Sequence, residues 1–368
     1  MTMKLVFFSD LHLDSAFSWV GGGGGASRRR HALRQTLRQI LDLTIAQGAD
    51  ALLCGGDLYE HERFSPDTEQ FLRASFESLH PIRVLIAPGN HDWCGPGSIY
   101  KSVRWSPNVH VYSDDRLAPV ELDDGITLWG AAHVAPAGTR GFLEDFKTGR
   151  SGVNLALFHG SEVGSLPNQG GAKQPHAPFK AKDIAEVGLD HAFVGHYHRP
   201  DDGQRHTYPG NPEPLSYGEE GKRGAVVFTI SSSGEKSQER HHVAATEAHD
   251  LSVDVTGCTN RTEVYDLVLA RVAGLTGIAR VTLNGEISEQ IDLDVSELED
   301  IRAGLDAMTV RTGNLRAPYD VEAIAAEPTV RGQFVKDVLA SDLPGEVRRQ
   351  VLMVGLRALD GRNDLEVL

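Results

Sequence analysis

Short apolar runs that stop on polar residues alternate with longer stretches of helical spacing through the first half of the chain. KLVFFSD (4–10), DALLCGGD (50–57) and RVLIAPGNHD (83–92) read as strands, each ending in Gly, Asp, Asn or His. Between the first two, residues 28–46 carry Leu33, Leu37, Ile40, Leu41 and Thr44 at helical spacing, and 67–79 repeats the pattern with Phe71, Leu72, Ser75 and Leu79. This β-α-β-α-β order predicts parallel strands joined by helical crossovers. ITLWGAAH, NLALFHG, DHAFVGHYH, RHTYPGN and GAVVFTI follow as further short strands. Two packed sheets with helices outside are expected.

The texture changes after about residue 230. SSSGEKSQERHHVAATEAHD is polar and reads as a strand end plus connector. A second unit then begins: a strand at LSVDVTG, a helix over 260–273, a strand at GIARVTLNG, a helix over 295–305 and helical spacing over 328–359. The domains are therefore placed at 1–245 and 246–368. The one low-complexity run, glycines 21–25, reads as a flexible loop.

Composition refines this picture only in part. The chain has 368 residues, more than one typical core, with 40% hydrophobic residues. No apolar run is long enough to span a bilayer, and MTMKLVFFSD lacks the length and cleavage site of a secretory signal. Three cysteines, Cys54, Cys94 and Cys258, are too sparse for a disulfide framework, so a reducing cytoplasm is expected. The formal net charge of -15 does not favour holding a polyanion by charge alone. A nucleic-acid role would need a basic patch, metal ions or a partner.

Candidate chemistry sits where the strands end. Asp10 and His12, Asp57, Asn90 with His91 and Asp92, His159, and His196 with His198 each follow an apolar run. In open α/β sheets, sites form beyond the carboxyl ends of strands. Gly56, Gly89, Gly160 and Gly195 stand beside these residues and would allow sharp turns. If residues 196–198 continue a strand, positions i and i+2 point both imidazoles at one spot. Asp, Asn and His without thiolate suit Mn, Fe or Zn, and two neighbouring metals need a shared carboxylate with several donors on each side.

SDLHLD, GGDLYE, GNHD, FHG and GHYH, in that order, resemble the signature of the calcineurin-like metallophosphoesterases, over about residues 1–230. The resemblance implies an α/β fold, a four-layer metallophosphoesterase β-sandwich flanked by helices, with a smaller α/β C-terminal cap domain. It implies two divalent ions, Mn first, with Fe or Zn as alternatives. One would take Asp10, His12 and His198, the other Asn90, His159 and His196, with Asp57 between them. It further implies that the metals neutralise the phosphate and generate the attacking hydroxide, while His91, oriented by Asp92, serves the leaving oxygen.

FSDLHLDSAF, YPGNPEPLSYGEEGKRGAVVFTI and the appended domain resemble the SbcD-like DNA repair exonucleases, bacterial relatives of the double-strand-break repair nuclease. That subgroup implies a DNA substrate and a 3′→5′ exonuclease with some endonuclease action. VRGQFVKDVL adds a resemblance to members that work beside an SMC-like coiled-coil ATPase, with a nuclease homodimer as a further option. Many such nucleases carry a second catalytic His three residues after the shared Asp. Here Glu60 takes that place, with His61 next to it, and either is a candidate to reach the phosphate.

Other features have two readings. Arg30, Arg34 and Arg38 form one stripe that either tracks DNA phosphates or is a solvated helix face. His31, His61, His176, His206, His241 and His242 read as surface or local structural residues, His133 is given no role, and Trp93 reads as packing. Over 344–359, Val347, Val351, Leu352, Leu356 and Leu359 make a stripe that either packs on its own domain or docks the ATPase. Competing functions are a phosphodiesterase or phosphatase for nucleotides or other small molecules, and a non-catalytic DNA-end-binding scaffold. A retired site has no physical reason to keep the whole donor set, which counts against the scaffold.

Overall fold

Strand β1 (Thr2–Phe8) leads through helix α1 (Gly25–Ala46) to β2 (Ala51–Cys54), then through α2 (Pro66–Glu77) to β3 (Arg83–Ile86). Helix α3 (Ile99–Ser102) precedes β4 (Val109–Val111). This is the order the alternating pattern predicts, and the β1–β4 ladder is parallel throughout. The computed structural model describes residues 2–20, 24–123, 125–164, 175–288, 291–316 and 319–361. Of the glycine run, residues 21–23 lie outside the described residues, and Gly25 opens α1.

A second set of strands follows: β5 (Ala118–Asp123), β6 (Ile126–Gly130), β7 (Val153–His159), then α4 (Ala181–Glu186), β8 (His191–Gly195), β9 (Asp201–Asp202) and β10 (His206–Tyr208). Strands β11 (Gly224–Ser231) and β12 (Lys236–His242) return to the first sheet. The result is two six-stranded sheets, ordered β12-β11-β1-β2-β3-β4 and β5-β6-β7-β8-β10-β9. They meet through aromatic rings: Phe193 of β8 lies 5.1 Å from Phe7 of β1 and 4.9 Å from Phe228 of β11, centroid to centroid. The α1 face carrying Leu33, Leu37, Ile40, Leu41 and Thr44 is buried, as its spacing requires. This is the α/β sandwich expected from the sequence.

Strand β12 departs from the expected connector. Its residues, KSQERHH, lack an apolar face, but it forms a full antiparallel ladder with β11. An edge strand held by backbone bonds and covered in charge has little need of apolar residues, and its charges keep other edges away.

By contact, the chain divides into two compact units. The first comprises Met1–Trp19, Ala26–Leu215 and Gly221–Glu247, and the second Val20–Gly25, Ser216–Glu220 and Ala248–Leu368. The second unit has a parallel sheet, β13 (Ala248–Asp254), β14 (Ile278–Glu286) and β15 (Ala307–Arg316), with α5 (Arg261–Val272) and α6 (Val295–Asp300) as the connecting helices. Val253, Val264, Val268, Val281, Leu283 and Leu298 fill its core. Helices α7 (Val321–Ala326), α8 (Val330–Leu339) and α9 (Gly345–Leu359) form a separate cluster around Ile324, Val335, Leu352 and Leu356. Leu352 and Leu356 of the C-terminal stripe are thus spent on their own unit, leaving Val347 and Leu359 exposed, so the full stripe is not a free docking face. Among the described residues, no helix is long and apolar enough to cross a membrane.

Candidate metal centre

The turns that carry the site leave regular geometry. Asp10 follows β1, Asp57 follows β2, Asn90 follows β3, His159 ends β7 and His196 follows β8. Asp10, His12, Asp57 and His196 have φ of 58°, 50°, 49° and 109°, a region that L residues avoid. Such strain persists only where surroundings over-determine it, and it gathers at functional sites. Here the loops after β1 and β2 are laced together: Asp10 N–H donates to Gly56 O (2.9 Å), His12 N–H to Asp57 O (2.9 Å) and Leu13 N–H to Leu58 O (2.9 Å).

Only one of the four neighbouring glycines supplies the left-handed turn the sequence suggested. Gly56 has φ +90°, whereas Gly89, Gly160 and Gly195 are required for close approach. A Cβ on Gly195 would stand 2.1 Å from Gly55 O and 2.8 Å from His159 Nδ1, and one on Gly89 would stand 2.3 Å from Asp57 Oδ1. These positions let the two sheets bring their candidate ligand residues together.

Asp57 lies at the middle. Its Oδ1 accepts from His91 N–H (2.8 Å), while Oδ2 stands 3.3 Å from His159 Nε2 and 3.7 Å from His12 Nε2. One carboxylate oxygen therefore faces two imidazoles on different loops. Asp10, His12 and His198 bring ligand atoms within 4.8 Å of one another, as do Asp10, Asp57 and His159, and His12, Glu60 and His91. Asn90 Oδ1 lies 3.1 Å from His159 Nε2, and the His196 ring lies 5.1 Å from that of His159. The two imidazoles of GHYH part company: His198 sits against His12 (5.3 Å) and His196 against His159. They do not converge by strand alternation, because β8 ends at Gly195 and His196 turns with positive φ.

The donor set fits metal ions. His12 is buried, its Nδ1 bonded to Glu60, and its Nε2 has no hydrogen-bond partner among the described residues. His159 gives its Nδ1 proton to Gly55 O (2.8 Å), which leaves Nε2 pointing at the Asp57 and Asn90 oxygens. A ring nitrogen lone pair aimed at oxygens calls for a cation between them, and a carbonyl or carboxylate on the other nitrogen is the usual companion of metal-ligating His. Without metal, a proton must do that work. Burial opposes charge on His159, but Asp57 and its hydrogen bond push the ring up to about 9. Burial also opposes charge on Asp57, yet His159 and His12 hold it well below the carboxylate range. His196 is pushed down to about 2 by burial and by His159, so its ring stays neutral and able to ligate.

Asp92 does not orient His91. Its buried carboxylate accepts from the N–H groups of Asp57 (3.0 Å), Gly89 (2.6 Å) and Leu58 (2.7 Å) and from the Tyr100 hydroxyl (2.5 Å). It ties the loop after β2 to the loop after β3 and so fixes Asp57. Burial, with Asp57 nearby, raises it to about 6. The residue that meets His91 is Glu60, whose Oε2 lies 3.0 Å from His91 Nδ1 and whose Oε1 lies 2.7 Å from His12 Nδ1. The Glu60 bond raises His91 to about 9, and although burial opposes it, Glu60 itself is lowered to about 2 by the two imidazoles.

His61 is directed elsewhere: its ring stacks 4.1 Å from Trp93, so both read as packing beside the site. Of the arginine stripe, Arg34 is engaged by Asp67, Thr68 (2.9 Å) and the Phe71 ring, Arg38 is exposed over the same ring, and Arg30 reaches Ala16 O at 3.4 Å. Arg34 and Arg38 clasp α1 to α2. Two residues near the site, His133 and His176, are given no role by the sequence, although His133 is expected on a strand near it. His133 is buried between His159 O (2.8 Å) and Thr139 (2.8 Å), bracing the end of β7. His176 lies 5.3 Å from the His196 ring. Neither carries a spacing signal, since both come from loops remote in sequence.

Residues 3–200 match the model of the family described as Calcineurin-like phosphoesterase. The chain is 25% identical over 286 residues to the uncharacterized metallophosphoesterase YhaO of Bacillus subtilis, covering 72% of this chain and 66% of that protein. It is 24% identical over 407 residues to the DNA double-strand break repair protein Mre11 of Methanopyrus kandleri, covering 97% and 83%. It is 22% identical over 281 residues to a component of the nuclease SbcCD of Rhodobacter capsulatus, covering 63% and 67%.

Proposed function

Because the chain belongs to the calcineurin-like phosphoesterases, we propose that it is a two-metal phosphodiesterase that cuts DNA, a 3′→5′ exonuclease with some endonuclease action in repair. Asp10, His12 and His198 would hold one ion and Asn90, His159 and His196 the other, with Asp57 placed to serve both. The observation that carries this reading is Asp57 Oδ2 facing His159 Nε2 and His12 Nε2 at once (3.3 and 3.7 Å). When bound, two divalent ions, Mn first with Fe or Zn as alternatives that suit Asp, Asn and His donors equally, would neutralise phosphate charge and activate the attacking water.

The chain's own residues do the rest. His91 is the most exposed of the group, and with Nδ1 held by Glu60 its Nε2 is left to give a proton to the leaving oxygen. Glu60 keeps that ring charged and oriented, and Asp92 fixes the loops beneath it. DNA as substrate is supported by the relatives, one a DNA double-strand break repair protein and one a nuclease component. With net charge -15 the chain needs help to hold DNA, and an SMC-like coiled-coil ATPase in the cytoplasm is the partner that supplies it.

Labelled single- and double-stranded DNA, digested with and without Mn²⁺ by wild type and His91→Ala, tests the reading. Mn²⁺-dependent cleavage lost in the variant is expected. Rapid turnover of bis-p-nitrophenyl phosphate with DNA left intact would instead indicate a small-molecule phosphodiesterase.

A further inference from the structure

Residues 175–179 form a strap held against Ser161, two residues beyond His159 at the end of β7. Ser161 N–H donates to His176 O (2.8 Å), His176 N–H donates to Ser161 Oγ (3.1 Å), and Phe179 N–H donates to Ser161 O (3.0 Å). Ala177 N–H reaches Thr139 O (3.1 Å), and Ala177 takes φ +39°, a conformation costly for a residue with a Cβ. Tyr197, between the two GHYH imidazoles, donates to Glu162 O (2.9 Å) and ties that loop to the same segment. This framework places the half-buried His176 ring 5.3 Å from His196 and 6.1 Å from His133.

We propose that His176 is a further catalytic residue of the phosphoesterase reaction, donating a hydrogen bond to a non-bridging phosphate oxygen on the His159/His196 side of the centre. His91 serves the other side, its ring 4.8 Å from that of His12. Four imidazoles (133, 159, 176 and 196) crowd this side through ring contacts of 5.1 to 6.1 Å. Of the four, His159 and His196 are proposed ligands and His133 braces the end of β7, so His176 is the ring with no role yet assigned beside the centre.

The inference rests on the phosphoesterase reading but not on DNA, so the test uses a small diester. His176→Ala and His176→Asn are loaded with Mn²⁺ and compared with wild type for metal content, for affinity toward inorganic phosphate by calorimetry, and for bis-p-nitrophenyl phosphate hydrolysis. One hydrogen bond to a charged oxygen corresponds to about tenfold to a hundredfold. The Ala variant should keep both metals and lose about that factor in phosphate affinity and in kcat/KM, and Asn, which still donates, should recover part of both. Unchanged phosphate affinity and kcat/KM in the Ala variant would overturn the proposal. So would loss of a metal ion, which would make His176 a ligand.

Discussion

The Glu60 carboxylate stands 3.0 Å from Nδ1 of His91 and, through its other oxygen, 2.7 Å from Nδ1 of His12. One side chain thereby sets the tautomer of a proposed ligand and of the proposed acid together. In metal-free protein, His91 should titrate near 9 in place of its ordinary 6.5. Glu60→Gln should bring it down toward 6.5. The raised His91 value stabilises the fold below pH 6.5, and that contribution is lost as pH rises through about 9. The lowered Glu60 value stabilises it above pH 4.5, and this is lost as pH falls through about 2. NMR titration of the histidine ring signals in both proteins checks the pair. A His91 value that stays near 9 in Glu60→Gln would dissolve it.

His91→Ala should separate chemistry from assembly. His91 is outside the proposed ligand set, so the variant should bind both ions and DNA as wild type does while turnover falls by about 10²–10⁴-fold. Metal analysis beside single-turnover kinetics reads the two apart. A variant that loses an ion would make His91 a ligand, as its membership of the group with His12 and Glu60 allows.

Gly195→Ala should harm both stability and metal affinity, because its Cβ would lie 2.1 Å from Gly55 O, the oxygen that receives the His159 Nδ1 proton. Overpacking of this kind costs about 1–3 kcal/mol. Gly149→Ala, with nothing within 4 Å, should leave both unchanged. Thermal melts and Mn²⁺ titration of the two variants make the comparison.

Much of this site is legible in the sequence because strand ends concentrate polar residues after apolar runs, which is how Asp10, Asp57, Asn90, His159 and His196 come to notice. What spacing hides is the side-chain direction. Asp92 follows His91 directly, yet it turns inward to Asp57, Leu58 and Gly89 N–H groups, since a buried carboxylate needs donors. The GHYH imidazoles look like an alternating pair until His196 takes φ 109° and sends the rings to different neighbours. His133 and His176 gain their positions from tertiary packing alone. The polar β12 escapes hydrophobic patterning, since backbone ladders do not register in it.

The shared role of Asp57 is the centre of the account, and anomalous scattering from Mn²⁺-soaked crystals tests it most directly. Two peaks are predicted, one among Asp10, His12 and His198 and one among Asn90, His159 and His196, with the Asp57 carboxylate between them. Asp57→Asn should lower occupancy at both. A single peak held by His12, Glu60 and His91, or two peaks at full occupancy in Asp57→Asn, would contradict it.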